Sequence, residues 1–174
     1  RTLEAFGAEL VLTEGCLGTD GAIRMAERIY EADPGIYFLP DQFKNPANVL
    51  AHYRHTGREI WEQTGGGVDA FVAGLGTTGT IMGVGRRLKE HNPAVRIVAV
   101  EPTVGHKIQG LKNMEESIVP AIYEPAKLDG KVTVRDEDAF EMTRRLAQRE
   151  GLFVGMSSGA AVVAALEVAR DLAA

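Results

Sequence analysis

A single cysteine, Cys16, stands in 174 residues, so no internal disulfide can form and no C-x-x-C metal or redox pair is available. We read Cys16 as a packing residue of a cytoplasmic protein. Cationic excess is missing too: 19 lysines and arginines are dispersed among 24 acids, for a net charge of -5, leaving no basic footprint for nucleic acid or an anionic membrane. No apolar run approaches the ~20 residues of a membrane span, and no charged-then-apolar signal segment opens the chain. Internal repeats and low-complexity linkers are also absent. What these absences leave is small-molecule chemistry.

Glycine, by contrast, is plentiful, with 20 residues, several of them at the ends of apolar runs. Period and punctuation predict a helix over TLEAF closed by Gly7, a strand over AELVLT (8–13), an amphipathic helix over 19–32 and a short strand over IYFLP (36–40). Asn45 as N-cap and Pro46 at the first helical position predict a helix through Thr64, with Gly57 as a candidate interruption. Beyond the turn at Gly65 to Gly67 the units alternate. Strand 68–74, helix 79–91, strand 96–102, a long loop, strand 131–135, helix 136–149, strand 152–156 and helix 158–172 follow one another. That alternation predicts an α/β fold: an open, mostly parallel sheet with helices on both faces. The stretch near 41–48 is the candidate boundary, giving residues 1–45 to a smaller unit and 46–174 to a larger one.

Ligands of open α/β sheets sit beyond the carboxyl ends of the strands, and three loops fall there: GLGTTGT (74–80), EPTVGHKIQG (101–110) and GMSSGAA (155–161). Gly74, Gly76 and Gly79 satisfy the dinucleotide spacing G-x-G-x-x-G, and Glu101 ends the next apolar run, where a ribose-binding acid would sit. Glycines let the backbone approach an anion, and the N-terminus of the following helix supplies unpaired N–H groups. Thr77, Thr78 and Thr80 add three hydroxyl donors, which suit the oxygens of a phosphate monoester better than a pyrophosphate. From the loop alone, a dinucleotide, a monophosphate cofactor and a purely structural turn all stay open. Pro102 directly follows Glu101, which reads as a solvated or loop-fixing acid. His52 and His55 stand i, i+3 without cysteine or acidic ligands in register, so no metal site is expected, and the charges of RDEDAFEMTRRLAQRE read as a solvated helix face.

Read together, DQFKNPAN, GLGTTGTIMGVGRRLKE, GHKIQGL and EGLFVGMSSGAAV resemble, in order and interval, the cysteine synthases, pyridoxal-phosphate enzymes of fold type II. The resemblance runs from Arg1 to the last residue. Thr78, where the A-type enzymes frequently have glycine, and GLKNMEESIVPAIYEP are similar to the B-type branch. The resemblance implies pyridoxal 5'-phosphate as cofactor, its phosphate cupped by Gly76, Thr77, Thr78, Gly79 and Thr80. Ser157 matches the residue that hydrogen-bonds the pyridine nitrogen. A neutral hydroxyl does not hold that nitrogen protonated, so the ring is a milder electron sink that favours β-elimination. Gln42 and Phe43 match the side of the site that holds the substrate carboxylate, and Gly110 matches a loop that approaches the ligands and moves on closure. His106 and Lys107 are expected to shape that loop, Ser158 to cap the following helix, and Lys44 to be an exposed lysine entering a helix.

The family's cofactor-bearing lysine, in a Ser-x-Lys-type motif, and its Thr-Ser-Gly-Asn-like substrate loop have no counterpart here. None of Lys44, Lys89, Lys107, Lys112, Lys127 and Lys131 stands in such a motif, so no residue is assigned as catalytic. A Gly-Arg-Tyr-like closing segment is absent as well. The expectation is an interior and C-terminal portion of the enzyme, inactive alone, with 1–45 a remnant of the smaller N-terminal domain and 46–174 an incomplete cofactor-phosphate domain. The intact enzyme implied is a cytoplasmic homodimer that makes cysteine from O-acetylserine, or a related activated serine, and sulfide or a sulfur carrier. The alternatives are a cystathionine β-synthase-like or deaminase-like fold type II enzyme, or an NAD-dependent dehydrogenase domain.

Overall fold

The computed structural model describes residues 2–173, which fall into two units, Arg1–Asp41 and Gln42–Ala174. In the smaller unit, helix α1 (Thr2–Ala5) is closed by Gly7, whose φ of 82° suits only glycine and whose N–H donates to the Glu4 carbonyl at 2.9 Å. A tight turn, Gly15–Leu17, leads into α2 (Gly18–Ala32), where a Cβ at Gly21 would press on Leu17. Cys16 lies in that turn and is exposed, its thiol 3.7 Å from Glu14 Oε2. The expected packing role is therefore corrected.

Segments 8–13 and 36–40 form no strand. Their apolar content is right for one, but a strand needs a neighbour to satisfy its N–H and C=O groups. No ladder reaches them among the described residues, and Leu12 and Phe38 stand 87% and 84% exposed.

The larger unit opens with a continuous helical run. It comprises α3 (Pro46–Ala51), a widened turn (His52–Thr56) and α4 (Gly57–Gln63). Asn45 caps it as expected, its side chain accepting the Ala47 N–H at 2.9 Å. Gly57 does not interrupt the helix; its N–H reaches back five residues to the His52 carbonyl, so one turn is π-wound. Strands β1 (Ala70–Gly74), β2 (Arg96–Pro102) and β3 (Gly130–Val134) then pair in parallel, in the order β1-β2-β3. Val100 lies beside Gly74 on one side and Val132 on the other. Helix α5 (Gly79–His91) is the crossover from β1 to β2, the long loop joins β2 to β3, and α6 (Asp136–Glu150) and α7 (Met156–Ala173) follow β3.

Alternation along β2 divides the core between two faces. Ile97 and Ala99 pack with Ile81, Val84 and Leu88 of α5, with Ile60 and Trp61 at the edge. Val100 packs with Val134, Ala139 of α6 and Ala160 and Ala164 of α7. Burying each of the larger aliphatic side chains contributes about 1.5–3 kcal/mol. The α/β architecture thus stands as expected, but the strand expected over 152–156 does not form, since 152–155 is irregular and Met156 is helical. Phe153 is 97% exposed, and α7 starts two residues early, at Met156.

Asp129 ties β2 to the turn before β3. Its Oδ2 accepts the Ile97 N–H at 2.7 Å and its Oδ1 accepts from Lys89 Nζ at 3.0 Å. Partial burial pushes the carboxyl upward, but the hydrogen bonds from Lys89 and Ile97 outweigh it and hold the group below the usual aspartate range. A depressed folded-state value stabilises the fold above about pH 4, where an unfolded aspartate titrates, and that contribution is lost as pH falls through the folded value. Asp129→Asn should cost about 1 kcal/mol at neutral pH, the charge being partly screened, and flatten the acid limb of stability. Denaturant titrations across the acid range check both.

Candidate cofactor site

The site is built where β1 hands over to α5. Leu75 is clamped on both sides: its N–H donates to the Val100 carbonyl at 2.9 Å, and its carbonyl accepts the Lys112 N–H at 2.7 Å. The loop between is therefore fixed to the end of β2 and to the segment after Gly110. Thr78 occupies the N-cap position of α5 in the left-handed conformation, φ 68°, which threonine seldom adopts. That geometry explains why glycine suits the position. Thr78 is 3% exposed, and its Oγ1 is buried without a hydrogen-bond partner. A buried hydroxyl in that condition costs about 1–3 kcal/mol unless a ligand satisfies it.

The other two threonines are partnered from behind. Thr77 Oγ1 accepts from Asn48 Nδ2 at 3.2 Å and from the Gly79 N–H at 3.4 Å. Thr80 Oγ1 lies 3.1 Å from His52 Nε2. A Cβ at Gly79 would overlap the Asn48 side chain, and one at Gly76 would stand 3.3 Å from the Gly110 carbonyl. A cradle of small residues, an orphaned buried hydroxyl and a helix N-terminus together fit a single phosphate group.

Gly110 has φ 91°, and a Cβ on it would come within 3.6 Å of Ser157 Oγ. The structure thus brings Gly76, Gly110 and Ser157 side by side. Ser157 lies in the first turn of α7, and Ser158, expected as the cap, is inside that turn with its N–H on the Gly155 carbonyl at 3.0 Å. The Gln42 carbonyl accepts from Asn48 Nδ2 at 2.8 Å, so one amide joins Gln42 to Thr77. Phe43 presents its ring 5.2 Å from Lys112 Nζ, a cation–π contact, and Lys112 is buried. Lys44 is exposed.

The loop 103–114 is held by polar contacts. His106 Nδ1 accepts the Ile108 N–H at 3.2 Å, and the Lys107 N–H donates to Asp136 Oδ2 at 2.8 Å, as loop-shaping residues would. Glu101 is 2% exposed; it accepts the Met114 N–H at 2.8 Å and pairs with Lys131. It fixes the loop, and both its oxygens are engaged within the protein. Asn113 adds a bond from Nδ2 to the Pro102 carbonyl at 2.8 Å. Among the described residues no cluster of three or more His, Cys, Asp or Glu could hold a metal.

Sequence reasoning missed Asn48 and His52 as parts of this site. Both lie on the helical run that the NPAN segment opens, where they read as ordinary helix residues, and only the packing of that helix on α5 brings them to the loop.

Thr78→Gly should separate strain from function. Removing a left-handed threonine should raise the unfolding free energy of the cofactor-free protein by about 1 kcal/mol, while losing the hydroxyl should weaken cofactor binding about tenfold. Denaturant unfolding and a cofactor titration read the two effects independently.

The chain belongs to the pyridoxal-phosphate dependent enzymes: the sequence model of that family matches residues 1–174. Within it, the chain is similar to the cysteine synthase of Aquifex aeolicus, 48% identical over 174 residues that make up 99% of this chain and 53% of that protein. Cysteine synthase B of Pseudomonas aeruginosa is 45% identical over 98% of this chain and 56% of its own length. The O-acetylserine dependent cystathionine beta-synthase from Helicobacter pylori superposes with a TM-score of 0.88 at 39% identity, covering 97% of this chain and 57% of that one. The chain spans about half the length of the curated relatives it matches.

Proposed function

We propose that this chain supplies the phosphate cup and part of the substrate wall of a cysteine synthase of B-type character. The full protein would replace the leaving group of O-acetylserine, or a related activated serine, with sulfide to give cysteine. The observation that carries the reading is the buried, unpartnered Thr78 hydroxyl, set between Thr77 and Thr80 at the N-terminus of α5.

Bound pyridoxal 5'-phosphate supplies an electron-withdrawing ring that makes the α-proton of a serine derivative removable. The residues of this chain hold and orient. Gly76, Thr77, Thr78, Gly79 and Thr80 would hold the phosphate with the backbone N–H and hydroxyl donors of the α5 N-terminus. The Ser157 hydroxyl would hydrogen-bond the pyridine nitrogen and, being neutral, would not hold it protonated. The Gln42 amide holds the substrate carboxylate beside the Phe43 ring, and Gly110 allows close approach of the loop. Proton transfer from the α-carbon falls to a lysine that none of these residues replaces. Residues 1–45 belong with the smaller domain and 46–174 with the larger, in a cytoplasmic homodimer.

The test uses the full natural protein loaded with pyridoxal 5'-phosphate, O-acetylserine and a choice of acceptor. Cysteine formed with sulfide supports the proposal. Turnover with homocysteine and none with sulfide would transfer the assignment to the cystathionine β-synthase reading, which the superposition on the Helicobacter pylori enzyme favours. No β-replacement with either acceptor would remove both.

A further inference from the structure

We propose that His52 is a positioning residue of this site: through a relay of Thr56, His52 and Thr80 it fixes the Thr80 hydroxyl as a donor to the cofactor phosphate. The proposal rests on the phosphate-cup reading above. Its ground is the way two helices meet. Gly79 and Gly83, four apart on α5, face Asn48 and His52, four apart on the helical run. A Cβ at Gly83 would stand 2.7 Å from His52 Cβ and 2.8 Å from the Tyr53 nitrogen, and would overlap the Val49 carbonyl. The backbones are therefore nearly in contact, which is what lets a short imidazole reach the first turn of α5. The π-wound turn begins at His52, and such turns recur at functional sites.

Both ring nitrogens have a hydroxyl neighbour: Thr56 Oγ1 is 3.0 Å from Nδ1 and Thr80 Oγ1 is 3.1 Å from Nε2. Burial lowers the imidazole's pKa from its usual value, which keeps the ring neutral at pH 7 with one N–H. Two tautomers then differ in consequence. With the proton on Nδ1, Nε2 accepts the Thr80 proton, and the hydroxyl has no donor left for the phosphate. With the proton on Nε2, Thr80 Oγ1 accepts from the ring and its own proton is free to donate forward. Only the second arrangement leaves the Thr80 proton for the phosphate, and in it Thr56, whose hydroxyl can donate or accept, donates to Nδ1. Each bond in such a chain polarises the next, so the last donor is the strengthened one.

The experiment measures pyridoxal 5'-phosphate affinity of the full natural protein alongside 15N NMR of its histidine rings in the loaded state. The loaded wild type is expected to carry the His52 proton on Nε2. His52→Phe and Thr80→Val should each weaken the cofactor about tenfold, and the double variant should be no weaker than the single ones by more than about twofold. His52→Gln, which keeps an N–H near Nε2, should restore most of the affinity that phenylalanine loses; a packing role would give the opposite order. Thr56→Val leaves the ring in place, removes the donor to Nδ1 and should give a several-fold loss of affinity. Unchanged affinity in His52→Phe while Thr80→Val is weakened, or a proton on Nδ1 in the loaded wild type, overturns the relay alone. Unchanged affinity in Thr80→Val removes Thr80 from the cup and the relay with it.

Discussion

Gly83→Ala should lower the unfolding free energy of the protein by about 2–3 kcal/mol and weaken cofactor binding in the same variant. The added methyl has no flexible neighbour to displace. It would meet the Val49 carbonyl, His52 Cβ and the Tyr53 nitrogen, all backbone or backbone-adjacent atoms of the helical run that packs on α5. The helices must separate, and separation draws Asn48 away from Thr77 and His52 away from Thr80. Stability and affinity are thus coupled through one contact. Gly15→Ala is the control, because a Cβ there meets nothing within 4 Å and the residue's φ is not positive; it should change stability by less than about 0.5 kcal/mol. Denaturant unfolding of both variants, with and without cofactor, decides the matter, and equal stability for Gly83→Ala and wild type would contradict the packing argument.

Thr77→Ala combined with Thr80→Ala should weaken pyridoxal 5'-phosphate about a hundredfold while leaving the unloaded fold nearly as stable as wild type. A hydrogen bond to a charged group contributes about 1.5–3 kcal/mol, so two such donors, discounted for non-additivity, give about two decades in affinity. Thr77 is placed for this work. Its oxygen already accepts from Asn48 and from the Gly79 N–H, and its own proton is the donor that the proposal gives to the phosphate. Neither hydroxyl belongs to the apolar clusters on the two sheet faces, so their removal should spare the core. Equilibrium titration with cofactor and denaturant unfolding without it read the two quantities, and a loss of less than about threefold would contradict the role given to these threonines.

Strong local signals carried most of the architecture. Asn45 with Pro46 announced a helix entry, and the apolar runs 70–74 and 96–102, ending in Gly74 and Pro102, announced parallel strands. Segments 8–13, 36–40 and 152–155 carry the same kind of apolar residues and form no strand, because a strand is completed by a partner that sequence periodicity does not supply. Cys16 was misplaced for a related reason: hydrophobic character says that a residue can be buried, and only the turn's geometry says whether it is. Glu101 could be read two ways at the end of β2 until the Met114 N–H and Lys131 were seen on its two oxygens.

The site was legible to a different depth. From glycine spacing and hydroxyl content GLGTTGT could be read as a phosphate loop with a dinucleotide loop and a structural turn still open; GHKIQG follows a strand as expected, whereas the strand expected before GMSSGAA does not form. What spacing could not convey was the left-handed φ of Thr78, the orphaned hydroxyl it buries, or the second tier of Asn48 and His52 behind the cup. That second tier depends on Gly79 and Gly83 admitting another helix, a contact between segments some thirty residues apart.

The central claim is that this loop holds one phosphate of the cofactor. It is tested most directly by the ratio of the dissociation constants of pyridoxal and pyridoxal 5'-phosphate, measured on the full natural protein and on its Thr77→Ala, Thr80→Ala variant. The account predicts a large preference for the phosphorylated form in the wild type that shrinks about a hundredfold in the variant, with pyridoxal itself bound equally by both. An unchanged ratio in the variant would contradict it.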